Sequence, residues 1–388
     1  MDKQPSINIT PKLDDFLSNH SSPESVISIK TEPEIIYFEE GRDSYNLNFD
    51  FVIKGITKRK LILRFIKAAV YDLEGNLLSF KHVNHNAVGV AGIHTIGKFE
   101  IDGEEIFDIY NPFYNFSKII PIDHLRYMFT FEDSETKEEF YYGNILVKPI
   151  FYKQKVKLTI PLKGLITILD GHDYYSHHRR FSMSIVRRVT NGRFSSNFSR
   201  YSVDFTIVGE DGNLRSMESC EYEKNFDFHF TDIKKFYTHE VDVFAPADGE
   251  IVDLVKDLDD LYQAPFDMDT AIKENTIKSI AGNYVIIKHN NSEYSHLFHL
   301  LKNSITVKMG QKVKRGEVLG KIGFSGAATT YSHLHYQLMD GKDFLKDNAL
   351  PCKFSDLVIV QGSKEREYKD VTLDTGDFFY SKWNISSV

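Results

Sequence analysis

The stretch Tyr331-Ser332-His333-Leu334-His335-Tyr336 places two histidines two positions apart inside an apolar, aromatic run. Such a run is typical of a β-strand, and side chains two positions apart on a strand point to the same face. Two imidazoles side by side on one face are rarely needed for packing, but they suit a divalent metal ion. The stretch therefore predicts a strand that carries part of a metal site.

A second unusual run lies upstream, at Tyr294-Ser295-His296-Leu297-Phe298-His299-Leu300. It shares the local pattern Tyr-Ser-His-Leu with the first run. We interpret both runs as the core of one site and His296 as its member from the upstream run. His299 follows three residues later, and we interpret it as a packed or surface histidine.

The composition is that of an ordinary soluble globular protein, with 388 residues, 41% hydrophobic and 26% charged. This length is enough for two or three domains, and the 30 Phe and 21 Tyr favour β structure. The net charge is −8 and no long basic block offsets it, which argues against a nucleic-acid partner. No run of about 18 apolar residues occurs, so we expect no transmembrane helix.

Cys220 and Cys352 are the two cysteines of the chain, which excludes a disulfide-built scaffold. We interpret them as buried free thiols rather than a pair, and neither lies in a motif that indicates catalysis. The residues Met1-Asp2-Lys3-Gln4-Pro5 show no secretory signal. Localisation stays open, because a removed presequence could carry an export signal.

Turn signals and alternating runs divide the chain into four predicted parts. Residues 1–40 are polar and predict a mobile tail with at most one short strand near Ile35–Phe38. Residues 41–165 predict an antiparallel β-sandwich-like accessory domain. Residues 166–355 stay mainly β and are rich in Gly turns. Residues 356–388 form a C-terminal extension with one apolar strand and the only tryptophan, Trp383.

Several strands within these parts can be predicted individually. A hairpin-type turn is expected at 72–76, and an insertion loop between two strands is expected at 256–279. The predicted strands are 45–53, 61–71, 155–160, the two halves of 243–252 around an Asp-Gly turn, 283–287 and 357–360.

The order of motifs across roughly residues 200–338 closely resembles that of the lysostaphin-like zinc endopeptidases, which cut peptide cross-links of bacterial peptidoglycan. Six spaced elements occur in the family's order, which makes the resemblance specific. It implies an antiparallel β-sheet peptidase domain with an open groove, a zinc cofactor and a peptide substrate. The six elements are Ala-Pro-Ala-Asp-Gly-Glu-Ile-Val, Gly-Asn-Tyr-Val-Ile-Ile, Tyr-Ser-His-Leu, Val-Lys-Met-Gly-Gln-Lys-Val-Lys-Arg-Gly, Gly-Phe-Ser-Gly and Ser-His-Leu-His-Tyr.

The resemblance assigns roles to individual residues. The second histidine of His-x-His is a zinc ligand in the family, which corresponds to His335. The first is catalytic, which corresponds to His333, and the histidine of Tyr-x-His-Leu is the other catalytic imidazole, which corresponds to His296. The family's aspartate ligand lies in an upstream apolar strand, where Asp204 fits.

The chain departs from the family at the remaining ligand, because Arg200 occupies the position four residues before Asp204 where the family usually has histidine. Divergent members carry a His-Arg farther upstream, and Tyr175–Phe181 supplies one in a strand-like context. We therefore expect His178 to be the third ligand, with His177 as its rival. Two other histidines, His229 and His239, are poor candidates.

Two imidazoles and one carboxylate leave zinc a net positive charge and one position for water. This charge lowers the pKa of the bound water and polarises a scissile carbonyl, while His296 and His333 act as base or oxyanion donors. The sequence thus predicts a zinc endopeptidase. A catalytically degenerate binding module is the alternative, motivated by Arg200. A biotinyl or lipoyl carrier is a third reading, disfavoured because no lysine sits on a suitable turn.

Overall fold

The computed structural model describes residues 26–214, 233–262, 266–328 and 331–382. The chain separates into two compact units, Met1–Tyr152 and Lys153–Val388. The tail expected at 1–40 lies largely outside the described residues. Where one short strand was expected at most, residues 26–40 contain two. Within the described parts of the chain, no helix is long and apolar enough to cross a membrane.

The first unit is built from short, mostly antiparallel strands. They form sheets in the orders β1-β4-β8, β11-β10-β5-β6 (with β7 beside β5) and β12-β2-β3-β9, in which only the β12–β2 pair is parallel. The turn predicted at 72–76 joins β5 to β6, which pair as a hairpin. The strands are β1 (Ile27–Glu32), β2 (Tyr37–Glu40), β3 (Ser44–Leu47), β4 (Asp50–Gly55), β5 (Lys60–Tyr71), β6 (Leu77–Asn84), β7 (Glu100–Asp102), β8 (Ile106–Tyr110), β9 (Asn115–Ser117), β10 (His124–Asp133), β11 (Glu139–Val147) and β12 (Ile150–Phe151), with a 3-10 helix at Gly92–Thr95.

Aromatic side chains join two of these sheets face to face. Phe51 on β4 is fully buried and contacts Tyr127 and Phe129 on β10, with ring centroids 4.9 Å and 4.8 Å away. Burial of one such side chain contributes about 1.5–3 kcal/mol. The Tyr127 hydroxyl donates to the Asn111 side chain at 3.0 Å, so its polar atom is satisfied inside the core. Two packed antiparallel sheets confirm the sandwich-like architecture.

The second unit is dominated by one large sheet, with the order β19-β16-β17-β18-β21-β14-β13-β25-β23-β24 and β22 beside β21, and a separate pair β15-β20. The mainly β fold class is confirmed. Its elements are β13 (Ile166–Asp170), α1 (Met183–Val189), β14 (Val203–Ile207), β15 (Asp242–Phe244), β16 (Gly249–Val255), α2 (Met268–Lys273), β17 (Asn283–Lys288), β18 (Tyr294–Leu300), β19 (Lys312–Val313), β20 (Val318–Lys321), β21 (Leu334–Met339), β22 (Ala349–Leu350), β23 (Phe354–Gln361), β24 (Lys364–Val371) and β25 (Phe378–Ser381), with 3-10 helices at Ile233–Lys235 and Ile277–Ala281.

The centre of this sheet is its most buried part. Every residue of β21 is buried, and β18 is buried except at its first residue, which explains why both read as near-continuous apolar runs. Gly282 enters β17 with φ 62°, and a Cβ there would lie 2.4 Å from the carbonyl carbon of Ser325. Glycine is therefore required at that entry, both for its backbone angle and for its lack of a side chain.

The two strands predicted within 243–252 are confirmed, and they belong to different sheets. Two local predictions were wrong. Residues 155–160 form no strand, and only Leu158 makes an isolated bridge, to Phe354. The segment around His178 is a series of turns between β13 and α1, because backbone bonds such as that from the amide of Arg180 to the carbonyl of Ser176 (3.1 Å) close locally.

The remaining predictions for this unit can be placed. The insertion at 256–279 contains α2 and most of a 3-10 helix. Residues 354–381, which include most of the predicted extension, supply three strands to the large sheet. Cys352 is buried, whereas Cys220 and Trp383 lie outside the described residues.

Candidate metal centre

Asp204 and His335 lie opposite each other on two neighbouring strands. They are paired positions of the antiparallel strands β14 and β21, so their side chains share one face of the sheet. Oδ1 of Asp204 is 3.1 Å from Nδ1 of His335. Both side chains are almost completely buried.

His178 reaches the same point from the turns that follow β13. Its Nδ1–H donates to the carbonyl of Gly171 at 2.9 Å, which leaves Nε2 unprotonated and 3.5 Å from Oδ1 of Asp204. The His178 and His335 rings meet edge to face, with centroids 4.9 Å apart. The loop thus presents a lone pair to the buried carboxylate.

A hydrogen-bond chain fixes the orientation of His335. Its Nε2–H donates to Oε1 of Gln337 at 3.2 Å, and the same oxygen accepts from the hydroxyl of Ser202 at 3.0 Å. The amide of Gln337 contacts the sulfur of Met339 at 2.8 Å. The ring of Phe298 stacks on His335 at 5.3 Å and 5°. These contacts hold Nδ1 toward Asp204, as outer contacts of metal-binding histidines do.

Two further imidazoles line the same pocket. Nδ1–H of His299 donates to the carbonyl of Ser325 at 2.8 Å. Nδ1–H of His333 donates to the carbonyl of Tyr331 at 2.9 Å, and its Nε2 lies 3.4 Å from Oδ2 of Asp204. Their rings are 4.9 Å apart. Each of them therefore offers an unprotonated Nε2.

Burial governs the ionisation of this cluster. Desolvation lowers the pKa of His178 and of His299 well below its ordinary value, and it lowers the pKa of His333 in the same way. Burial alone would raise the pKa of Asp204, but the surrounding imidazoles hold that pKa well below its ordinary range. A neutral His178 and an ionised Asp204 are the protonation states in which these two groups bind metal.

The structure does not bring His296 to this cluster. Its Nε2–H donates to the carbonyl of Gly341 at 2.9 Å, and Phe344 packs beside its ring at 6.3 Å. His296 lies on the same face of the sheet as Phe298, as the alternation of β18 requires, but the loop after β21 covers it. The pocket takes its imidazole from His299 instead.

A left-handed backbone at His299 explains why His299, and not His296, lines the pocket. Its φ is 64°, and the pairing of β18 with β17 shifts register beside it. Such a bulge re-aims a side chain that strict alternation would turn to the other face. The sequence signal for His299 is present, because His299-Leu300 repeats the His296-Leu297 pattern three residues later.

The rival candidate His177 lies at the edge of the same site. Its side chain is largely exposed and its Nδ1 contacts Asp170, but it offers a ring nitrogen within 4.8 Å of ligand atoms of His178 and Asp204. The other described rivals do not reach the site. Arg200 is buried and does not line the pocket. His239 contacts the hydroxyl of Tyr262 at 3.0 Å, away from the cluster. His229 lies outside the described residues.

The donor set of His178, Asp204 and His335 fits a zinc ion. Two ligands at ordinary zinc distances on a tetrahedral ion are about 3.3 Å apart, and the two separations from Oδ1 of Asp204 are 3.5 Å and 3.1 Å. A buried carboxylate is costly to keep ionised unless it is paired or bound to a metal. The hydroxyl of Tyr331 donates to Oδ2 at 3.0 Å, which leaves Oδ1 toward the two imidazoles.

Curated relatives match a short part of the chain. The Vibrio cholerae serotype O1 protein described as Peptidoglycan DD-endopeptidase ShyA is 49% identical over 59 residues, which cover 15% of this chain and 13% of the relative. Peptidoglycan DD-endopeptidase ShyC of the same organism is 34% identical over 71 residues, which cover 18% and 16%. The matched region is thus about one seventh of the length of these relatives.

The solved catalytic domain of lysostaphin from Staphylococcus simulans is similar over 30% of this chain and 76% of its own length, with 21% identity and a TM-score of 0.19. Similarity at this level supports no functional conclusion. The model of Peptidase family M23 matches residues 232–346, which include β17, β18 and β21. This match of residues 232–346 to Peptidase family M23 confirms the resemblance found in the sequence.

Proposed function

We propose that this chain is a zinc-dependent endopeptidase that hydrolyses peptide cross-links of peptidoglycan. The observation that carries the proposal is the approach of His178 and His335 to the same oxygen of Asp204, at 3.5 Å and 3.1 Å, with His299 and His333 beside them in one pocket. The family match and the names of the curated relatives support a peptide bond of peptidoglycan as the substrate.

We assign zinc to His178, Asp204 and His335. The ion, when bound, lowers the pKa of water and polarises the carbonyl of the scissile bond. The rest of the chemistry falls to the protein's own groups. Gln337 and the carbonyl of Gly171 fix the two ligand imidazoles in the tautomers that present a lone pair to the ion.

His299 and His333 are the acid–base groups in this proposal. Both are neutral at pH 7, because burial lowers their pKa values, and both carry their proton on Nδ1. Each Nε2 can therefore accept a proton from attacking water and return it to the leaving amine. His299 takes the role that the resemblance assigned to His296, since His296 is covered and bonded to Gly341.

The alternative of a degenerate binding module rests on Arg200. The position of His178 beside Asp204 speaks against it, because His178 supplies the imidazole that Arg200 cannot. A module that only binds cell wall also has no evident need for two further buried imidazoles with unprotonated Nε2 atoms in the same pocket.

Zinc content and peptidoglycan digestion of matched variants test the proposal. We expect His178→Ala and His335→Ala to lose the metal, measured by mass spectrometry on protein purified without a His tag. His177→Ala is the matched control beside His178 and should keep it. Retention in His178→Ala with loss in His177→Ala would contradict the ligand set.

A second pair of variants separates catalysis from metal binding. His299→Ala and His333→Ala should retain zinc and lose activity about 10²- to 10⁴-fold, the usual contribution of an acid–base group. His296→Gln should retain both zinc and activity. Full activity in zinc-loaded His299→Ala would refute its assigned role, and wild-type protein that takes up no zinc would refute the enzyme.

A further inference from the structure

The pocket beside the metal centre has a volume of about 310 Å³ and a mixed lining. Its polar lining includes the imidazoles and Asp204. Its apolar lining, called the apolar wall below, consists of the side chains of Phe181, Phe198, Met268, Ile280, Phe298 and Ala327. Ligand pockets commonly combine an apolar lining with a few convergent polar groups.

Two residues of the apolar wall, Met268 and Ile280, come from the segment between β16 and β17. Met268 begins α2, and Ile280 lies in the following 3-10 helix. The side chain of Asp267 caps α2 by accepting from the amide of Thr270 at 3.0 Å. The guanidinium of Arg193 donates to the carbonyl of Ile272 at 2.9 Å. These bonds hold Met268 at the pocket.

Packing inside the protein buries only part of the surface of the wall. Ile280 belongs to a buried apolar cluster, against which Phe181, Met268 and Ala327 pack with one side. These three side chains nevertheless stay partly exposed and face the pocket. Apolar surface that is open to water favours a ligand group that covers it and is itself non-polar. A non-polar group of the ligand is therefore stabilised there, and a polar one is not.

We propose that this wall selects the substrate by binding a non-polar side chain on a residue adjoining the scissile bond. The inference rests on the proposed function, because it places a peptide at the metal centre. It assigns Met268 as the specificity-determining residue, since Met268 is the partly exposed residue of the insertion that faces the pocket. Peptides with an aliphatic side chain at that position are then preferred over peptides with glycine.

A competition experiment with synthetic peptides tests the wall. The zinc-loaded full chain is given a mixture in which the residues on either side of each bond are Gly, Ala or Leu, and the cleaved bonds are identified by mass spectrometry. We expect kcat/KM to favour Leu over Gly at one of the two positions by about tenfold or more. Equal cleavage of Gly and Leu peptides by the wild type would overturn the proposal.

Variants of α2 connect the preference to Met268. Met268→Ala should reduce the ratio of kcat/KM for Leu over Gly several-fold, and Met268→Asp should abolish it, because a charge opposes the non-polar side chain. Asp269→Ala changes the next, exposed residue and should keep the wild-type ratio. An unchanged ratio in Met268→Asp, with its fold verified by circular dichroism, would refute the role of Met268.

The same peptides separate this inference from the proposed function. If the wild type cleaves none of them and also digests no peptidoglycan, the endopeptidase proposal fails. Binding of fluorescent Leu and Gly peptides to the intact chain tests the wall alone in either case. Tighter binding of the Leu peptide to the wild type, lost in Met268→Asp, would support the wall. Equal binding of both peptides would overturn it.

Discussion

His296 makes the stability of the metal-free protein depend on pH. The side chain is fully buried, its Nδ1 has no hydrogen-bond partner in the described structure, and burial lowers its pKa from 6.5 to about 3. Because the folded pKa lies below the unfolded value, the unfolded chain binds the proton first as the pH falls. The free energy of unfolding is therefore not reduced by His296 above pH 6.5, and it falls progressively between pH 6.5 and pH 3.

The size of the effect follows from these values. Each pKa unit corresponds to about 1.36 kcal/mol, and pH 5 lies about 1.5 units below the unfolded pKa of histidine. Protonation of His296 in the unfolded chain should therefore lower the free energy of unfolding by about 2 kcal/mol from pH 7 to pH 5. The change His296→Gln removes this titration and keeps an amide donor for the carbonyl of Gly341.

Urea denaturation followed by circular dichroism, in the presence of a chelator, measures the effect at pH 7, 6 and 5. The difference between His296→Gln and the wild type isolates His296, because the other buried histidines are common to both proteins. His82→Gln, at an exposed position, controls for the change of residue type. Parallel pH profiles for His296→Gln and the wild type would refute the assignment of a buried, neutral His296.

Three further predictions concern the metal centre and its framework. Gln337→Ala removes the acceptor for Nε2–H of His335 and should weaken zinc binding about 10- to 100-fold in a chelator competition; wild-type affinity would contradict the orienting role. Gly282→Ala should destabilise the protein by about 3 kcal/mol in urea denaturation, from strain and overlap with Ser325. Gly310→Ala, at φ 76° in open space, is its control and should cost about 1 kcal/mol; equal losses would contradict the contact. Zinc at about 1,000 times its Kd should stabilise the wild type by about 4 kcal/mol, and thermal denaturation of Asp204→Asn should show no such gain; an equal gain would exclude Asp204 as a ligand.

Local periodicity sufficed to predict part of the site. His333 and His335 lie together because a two-residue spacing on a strand is a local property. The same spacing also reaches Gln337, which could have been predicted as the outer contact of His335. The juxtaposition of His178 with Asp204 depends on turns that bring a loop back over the sheet, and only the family resemblance indicated it.

His299 shows where prediction from the sequence fails. Alternation along β18 favours His296, and both residues are followed by leucine. The choice between them depends on the left-handed backbone at His299 and on the loop that covers His296. Neither feature is encoded in the seven residues of the strand, because the covering loop lies about 45 residues downstream. The missing strand at 155–160 has a related cause, since alternation forms a strand only where a neighbour is available for pairing.

The paired positions of Asp204 and His335 have a consequence for folding. A displacement of β14 against β21 by one residue would turn one of the two side chains to the opposite face and separate the ligands. A bound ion would therefore stabilise a single pairing of these strands against every displaced one. The metal would thereby favour the native register of β14 and β21 at the centre of the sheet, in addition to any role in catalysis.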